Sequence, residues 1–321
     1  MKKTVFVFLV LAFCCFSKQV FADGKASQDT VKIGVYIVGI SDIDFRQKQY
    51  LIRFWVWMRY KNQKYDFSKN IEVPNCKSIE KISNIIDTSN NEVYTLMELK
   101  CYMKQSWMVH DYPFDEQHLE LHIENAQYDT RDFIFVPDTG GVPYDPKLAI
   151  SGWEITKSTV YTNLHFYETN FGDVTLTKPH SEYSAFNISF DIKRDAWGLF
   201  FKLFLGMYVA FLITFVCIFI HADNIDSRFA LSVGALFAAV GNKYIIDSIL
   251  PESSAFTLVD SLHAFTFISI LITIALSVFS LHLLKKNRLD LSIKVDRYTA
   301  RTMLVVFIIL NIVFVGRAII Y

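Results

Sequence analysis

The sequence predicts an exported β-sandwich followed by a bundle of four transmembrane helices. Three observations carry this: a short basic-then-apolar N-terminus, a long middle region of alternating strands, and an abrupt change near Trp197 to four long apolar runs. Apolar residue types make up 52% of the 321 residues. That share fits a chain that is part membrane and part soluble.

The N-terminus reads as an export signal over 1–22. Lys2 and Lys3 give the basic start, Thr4 to Phe16 the apolar stretch, and Val20-Phe21-Ala22 the small residues a signal peptidase needs. The apolar stretch is too short to span a bilayer well.

Residues 23–196 read as the sandwich. The runs 31–40 and 50–60 are rich in β-branched and aromatic residues. In 117–123, Leu119, Leu121 and Ile123 alternate with His118, Glu120 and His122, the period-2 pattern of a half-buried strand. In 183–193, Phe186, Ile188, Phe190 and Ile192 repeat it. The clusters 88–91 and 138–141 mark turns between runs. Five cysteines are present. Cys14 and Cys15 fall in the signal and Cys217 in a membrane run, which leaves Cys76 and Cys101 to pair as a disulfide in an oxidising compartment.

Residues 197–321 predict helices at about 197–220, 227–250, 256–284 and 299–320, since lipid admits spanning helices but not bare strands. The basic cluster Lys285, Lys286, Arg288, Lys294, Arg297 and Arg301 predicts a cytoplasmic side between the third and fourth helices. The connection Pro251-Glu252-Ser253-Ser254 carries no Lys or Arg and is expected on the opposite side. The second helix contains Asn242, Lys243 and Asp247 with two glycines, so it should face protein or water. Asp260 and His263, near the start of the third helix, are functional candidates as intramembrane ionisable groups, with structural pairing of Asp260 to Lys243 as an equal alternative.

Enzyme chemistry is not expected. No GxSxG, phosphate-binding loop or GxGxxG motif occurs. His118, Glu120 and His122 share one strand face but lack the helical spacing of zinc peptidases, so the face reads as exposed polar surface, with weak metal binding as the lesser alternative and no metal assigned. Neither a cofactor nor nucleic acid is called for: Lys+Arg and Asp+Glu balance at 32 each.

Several stretches, in order, resemble the Cys-loop receptor family of pentameric ligand-gated ion channels, in its bacterial form. Tyr112-Pro113-Phe114-Asp115 is similar to the family's loop between two strands. Ser151-Gly152-Trp153-Glu154-Ile155 resembles a strand start in bacterial members. Arg194 falls where the family has an Arg before its first membrane helix, and Leu250-Pro251 resembles the end of the second. Gln105 and Leu119 stand where the family's loop cysteines would be, so the namesake disulfide is absent. The first helix lacks the common Pro, and the linker before the fourth is short.

The resemblance implies a homopentamer with a central pore in the bacterial inner membrane, the N-terminal domain and C-terminus being periplasmic. It implies a small-molecule agonist between subunits, with Phe166, Tyr167 and Phe171 on a hairpin at about 163–182, Trp55 and Trp57 on the opposing face, and Asn75 and Asp138 on other loops. Aromatic faces attract cations, so an amine is the first expectation. Asp44, Asp115 and Arg194 are the implied coupling cluster. Helical spacing from Asp226 gives a pore stripe of Asp226, Ala230, Gly234, Phe237, Gly241, Tyr244 and Ser248. Arg228 is expected to turn from the axis toward a neighbouring subunit or the lipid interface. A non-conducting receptor on the same fold remains the alternative, and a membrane-anchored enzyme a remote third.

Overall fold

A computed structural model describes residues 28–138, 140–175 and 179–320. The expected export signal lies outside the described residues. Nine strands precede four long helices: β1 Asp29–Asp44, β2 Gln49–Tyr60, β3 Ile71–Glu72, β4 Cys76–Ser89, β5 Glu92–Lys104, β6 Glu116–Asn125, β7 Phe133–Pro137, β8 Trp153–Tyr167 and β9 Ser181–Arg194. A single helical turn, Phe67–Asn70, leads into β3.

The strands form two sheets, in the orders β4-β5-β2-β1-β7 and β3-β6-β9-β8. Alternation fixes which face each strand turns inward. Tyr50, Ile52, Phe54, Val56 and Met58 of β2 meet Leu119, Leu121 and Ile123 of β6 and Phe186, Ile188, Phe190 and Ile192 of β9 in one buried core. Every inward residue expected on β6 and β9 is there. Asn90 and Asn91, both at positive φ, make the β4–β5 turn. Asn tolerates that region, and a turn with both central residues in it matches the strands' twist.

The disulfide expectation is corrected: Cys76 and Cys101 are free thiols. Cys101 sits opposite Ile79, while Cys76 faces Met103 across a bulge. The two cysteines are therefore offset along the ladder rather than opposed, and bridging requires closely facing Cβ atoms. Burial pushes the Cys101 thiol up to about 12, which keeps it protonated and inert.

The helices are α1 Ala196–Cys217, α2 Ile225–Ile249, α3 Leu258–Lys285 and α4 Leu289–Ile320, each long and apolar enough to cross a membrane. Thr257 and Asp260 start α3 with a reciprocal capping box. α4 begins ten residues before the expected 299. Its charged first turns hid it from a hydropathy reading, yet they point key groups inward: Asp296 is buried, and Ser292 donates to the Ser280 carbonyl.

Arg228 is corrected as well. It turns from the stripe, but into its own bundle: 1% exposed, it donates to the Ile218 and Ile220 carbonyls and to Asp296 at 2.7 Å. A carboxylate and helix-end carbonyls engage its Nε and Nη2, which makes a guanidinium there tolerable, while Nη1 is buried without a partner.

Candidate functional site

At the junction between sheets and helices, Arg194 closes β9. Its Nε donates to Asp115 Oδ1 at 2.7 Å and its Nη2 to Oδ2 at 3.2 Å. Asp115 is 4% exposed. It also accepts from Gln117, whose amide pairs with both backbone groups of Met108. The guanidinium is caged by aromatic rings, with Trp153 at 4.0 Å, Phe45 at 4.9 Å and Tyr112 at 5.0 Å from centroid to Cζ. The β5–β6 loop, the β1–β2 turn, β8 and β9 thus meet on one side chain.

Asp44 is not in this cluster. Its carboxylate caps the β1–β2 turn by accepting from the Gln47 N–H at 2.7 Å, and Phe45 takes the place beside Arg194 that the sequence reading gave to an acid. From the same loop, Phe114 packs on Trp197 and Phe200 of α1, and the His110 carbonyl accepts from Leu258 N–H at the start of α3. Ser248 and Ile249 of α2 line a cleft with the β1–β2 turn and Arg194.

The implied ligand residues divide into two groups. Trp55 and Trp57 lie on the outer face of the five-stranded sheet. The indole of Trp57 covers Gly34, where an added Cβ would meet the ring at 2.3 Å. Trp57 Nε1 donates to Asp138 at 2.9 Å, and that bond holds the Asp138 carboxyl below its usual range. Asp138 therefore belongs with the tryptophans, not with the hairpin. Asn75 joins neither group: it donates to the Glu120 carbonyl at 3.0 Å.

On the other sheet, Tyr167, Phe171 and Tyr183 form a box at the β8–β9 hairpin. Tyr167 is 5.3 Å from Phe171 and 5.7 Å from Tyr183, and Phe171 is 6.3 Å from Tyr183. Phe171 has φ +48°, a costly region for a bulky residue, held by surrounding contacts. Phe166 stacks on His180 instead. Carboxylates ring the box. Tyr167 Oη donates to Glu124 at 3.0 Å. Burial, then Asp129, Glu124 and Glu72, pushes the Tyr183 phenol up. Arg131 bridges Asp129 to Asp173, tying the β6–β7 loop to the hairpin. The sequence reading missed Tyr183, Glu124, Asp129 and Arg131. The run Tyr128-Asp129-Thr130-Arg131 between two strands was the available signal.

The His118, Glu120 and His122 face does not act as a unit. His118 pairs with Asp191, and Glu120 accepts from Tyr161. His122 instead joins Glu124 and, from β8, His165.

On α2, the whole expected stripe of Asp226, Ala230, Gly234, Phe237, Gly241, Tyr244 and Ser248 is exposed, and Arg228, Ser232, Ala235, Ala239 and Ile246 are buried behind it. Phe237 is 71% exposed. Neither Gly234 nor Gly241 has a neighbour within 4 Å of a built Cβ, so they are not close-packing sites within the chain. The tight approach is at Gly206 of α1, against Asn242. Lys243 bonds Asp260 at 2.9 Å and also Asp247.

No known protein-family model matches the chain, and a comparison with curated proteins found no match either.

Proposed function

We propose that the chain is a subunit of a homopentameric ligand-gated ion channel in the bacterial inner membrane, with its sheet domain in the periplasm. The carrying observation is the contrast between two helices. α2 and α4 are both largely uncovered by their own chain. α4 is the most apolar of the four and suits lipid. α2 is the least apolar, and its uncovered stripe holds Asp226, Tyr244 and Ser248. A polar, uncovered membrane helix needs water or further copies of itself beside it, and a ring of subunits around a pore supplies both. The edge strand β4 adds to this. Its exposed Ile79, Ile82, Ile85 and Ile86 are suited to burial against a neighbouring subunit.

The two aromatic groups lie on opposite outer faces of one sandwich, with the core between them. Only a second copy of the chain brings Trp55 and Trp57 to the hairpin box. The aromatic faces of Tyr167, Phe171 and Tyr183 favour a cationic ligand, so a small amine remains the first choice. Permeating cations are expected from the Asp226 ring.

Electrical recording from the reconstituted protein, with a panel of amines applied on the sheet-domain side, tests the reading. Tyr167→Ala and Trp55→Ala should each raise the half-effective concentration several-fold to about thirtyfold, since one cation–π contact is worth about 0.5–2 kcal/mol. Unchanged responses in both variants reject this ligand site. Ligand binding without current under any condition returns the protein to a non-conducting receptor.

A further inference from the structure

We propose that His122, Glu124 and His165 form a site for a zinc-class transition-metal ion on the outer face of the four-stranded sheet, at the root of the β8–β9 hairpin. Their ligand atoms all lie within 4.8 Å of one another. His122 Nε2 is 2.5 Å from Glu124 Oε1, and His165 Nδ1 converges on the same oxygen.

The surroundings are those of a built site. The Glu124 side chain is 2% exposed and that of His122 15%, while His165 at 39% leaves a path to solvent. Asn187 donates through Nδ2 to Asn163 Oδ1 at 2.7 Å, which turns its Oδ1 toward His122 Nδ1 at 2.5 Å. That contact requires the proton on Nδ1. Nε2 then faces the Glu124 oxygen, where a shared proton bridges the two in the metal-free protein and a metal ion would take that proton's place. The second Glu124 oxygen accepts from Tyr167 Oη. Outer partners of this kind, an amide on the imidazole and a hydroxyl on the carboxylate, orient the ligands of metal sites.

Two imidazoles and one carboxylate select zinc and its neighbours over magnesium or calcium, which prefer all-oxygen shells. Bond lengths of about 2.0–2.2 Å are reached by small side-chain rotations from the present contacts. The fourth position is open to water. The ion would join β6 to β8 across β9 and hold the carboxylate to which Tyr167 is bonded. This replaces the weak metal binding that the sequence left as a lesser alternative at His118, Glu120 and His122 with a different set of residues. The signal was hidden because Glu124 and His165 are 41 residues apart.

The test is cobalt(II) and zinc titration of the full-length protein in detergent, following the visible ligand-field bands of cobalt and their loss as zinc displaces it. Wild type should show tetrahedral-type bands with a stoichiometry of one ion per chain. His165→Ala, on an exposed strand position, and the near-isosteric Glu124→Gln should each weaken binding by more than the roughly 10–100-fold that outer partners contribute. His118→Ala, on the same face but outside the cluster, should bind as wild type. Absence of the bands in wild type, or affinity unchanged in both His165→Ala and Glu124→Gln, overturns the site. The readout needs no current and stands whether or not the chain conducts.

Discussion

Arg194→Ala is expected to abolish ligand-evoked current while ligand binding survives. On Arg194 the β1–β2 turn, the β5–β6 loop, β8 and β9 converge, one residue before the Asp195 that precedes α1. The β5–β6 loop it holds also touches α1 through Phe114 and α3 through the His110 carbonyl. If the sandwich moves when ligand binds, this ion pair is placed to carry the movement to two helices. Truncation removes the fork and leaves Asp115 buried and uncompensated, a loss of about 3–5 kcal/mol. Much of that loss falls on the junction, because the hairpin box and the tryptophans are held by other contacts. Arg194→Lys keeps the charge but loses the two-point bond and the flat stacking against Trp153, so it should gate only at raised ligand concentration. The double variant Arg194→Gln with Asp115→Asn leaves no stranded charge. If it assembles, binds ligand and stays silent, the pair couples; normal gating in Arg194→Ala removes Arg194 from that role.

The Asp115–Arg194 pair was expected from the resemblance to the receptor family, carried by short patterns at a turn and at a strand end. The inward residues of β6 and β9 were legible because a half-buried strand has a strict period of two. The errors share a different cause. Asp44 was placed by loop position alone, and which way a loop carboxylate turns depends on the nearest donor, here the Gln47 amide. The start of α4 was missed because a helix end rich in charge escapes a hydropathy reading even when Asp296 faces inward to Arg228. Tyr183 and Glu124 came into the ligand region through sheet pairing, which spacing along one strand cannot reveal.

Phe237→Ser is expected to give a channel that leaks without ligand, and Asp226→Ala a channel with weakened preference for cations over anions. From Asp226 to Ser248 the stripe runs 22 positions, about 33 Å of helix, enough to cross the hydrocarbon core. Phe237 lies near its middle, about 16 Å from Asp226. It has Gly234 and Gly241 a turn to either side, so five rings at this level would narrow a pore whose adjoining levels are lined by glycine. A constriction of that kind closes by expelling water, and an apolar-to-polar change at the ring lets water and ions remain. Within its own chain Phe237 is mostly uncovered, so the substitution costs the isolated bundle little packing. Asp226 is exposed in the first turn of α2, while the nearest cation on that helix, Arg228, is turned inward and engaged by Asp296. In the proposed pentamer a ring of five such carboxylates would not be offset by this neighbour and should concentrate cations at the mouth. The reversal potential in a salt gradient reads this directly: it should move toward zero, or change sign, in Asp226→Ala. Tight closure in Phe237→Ser together with an unmoved reversal potential in Asp226→Ala would show that the exposed stripe of α2 faces something other than a conducting pore.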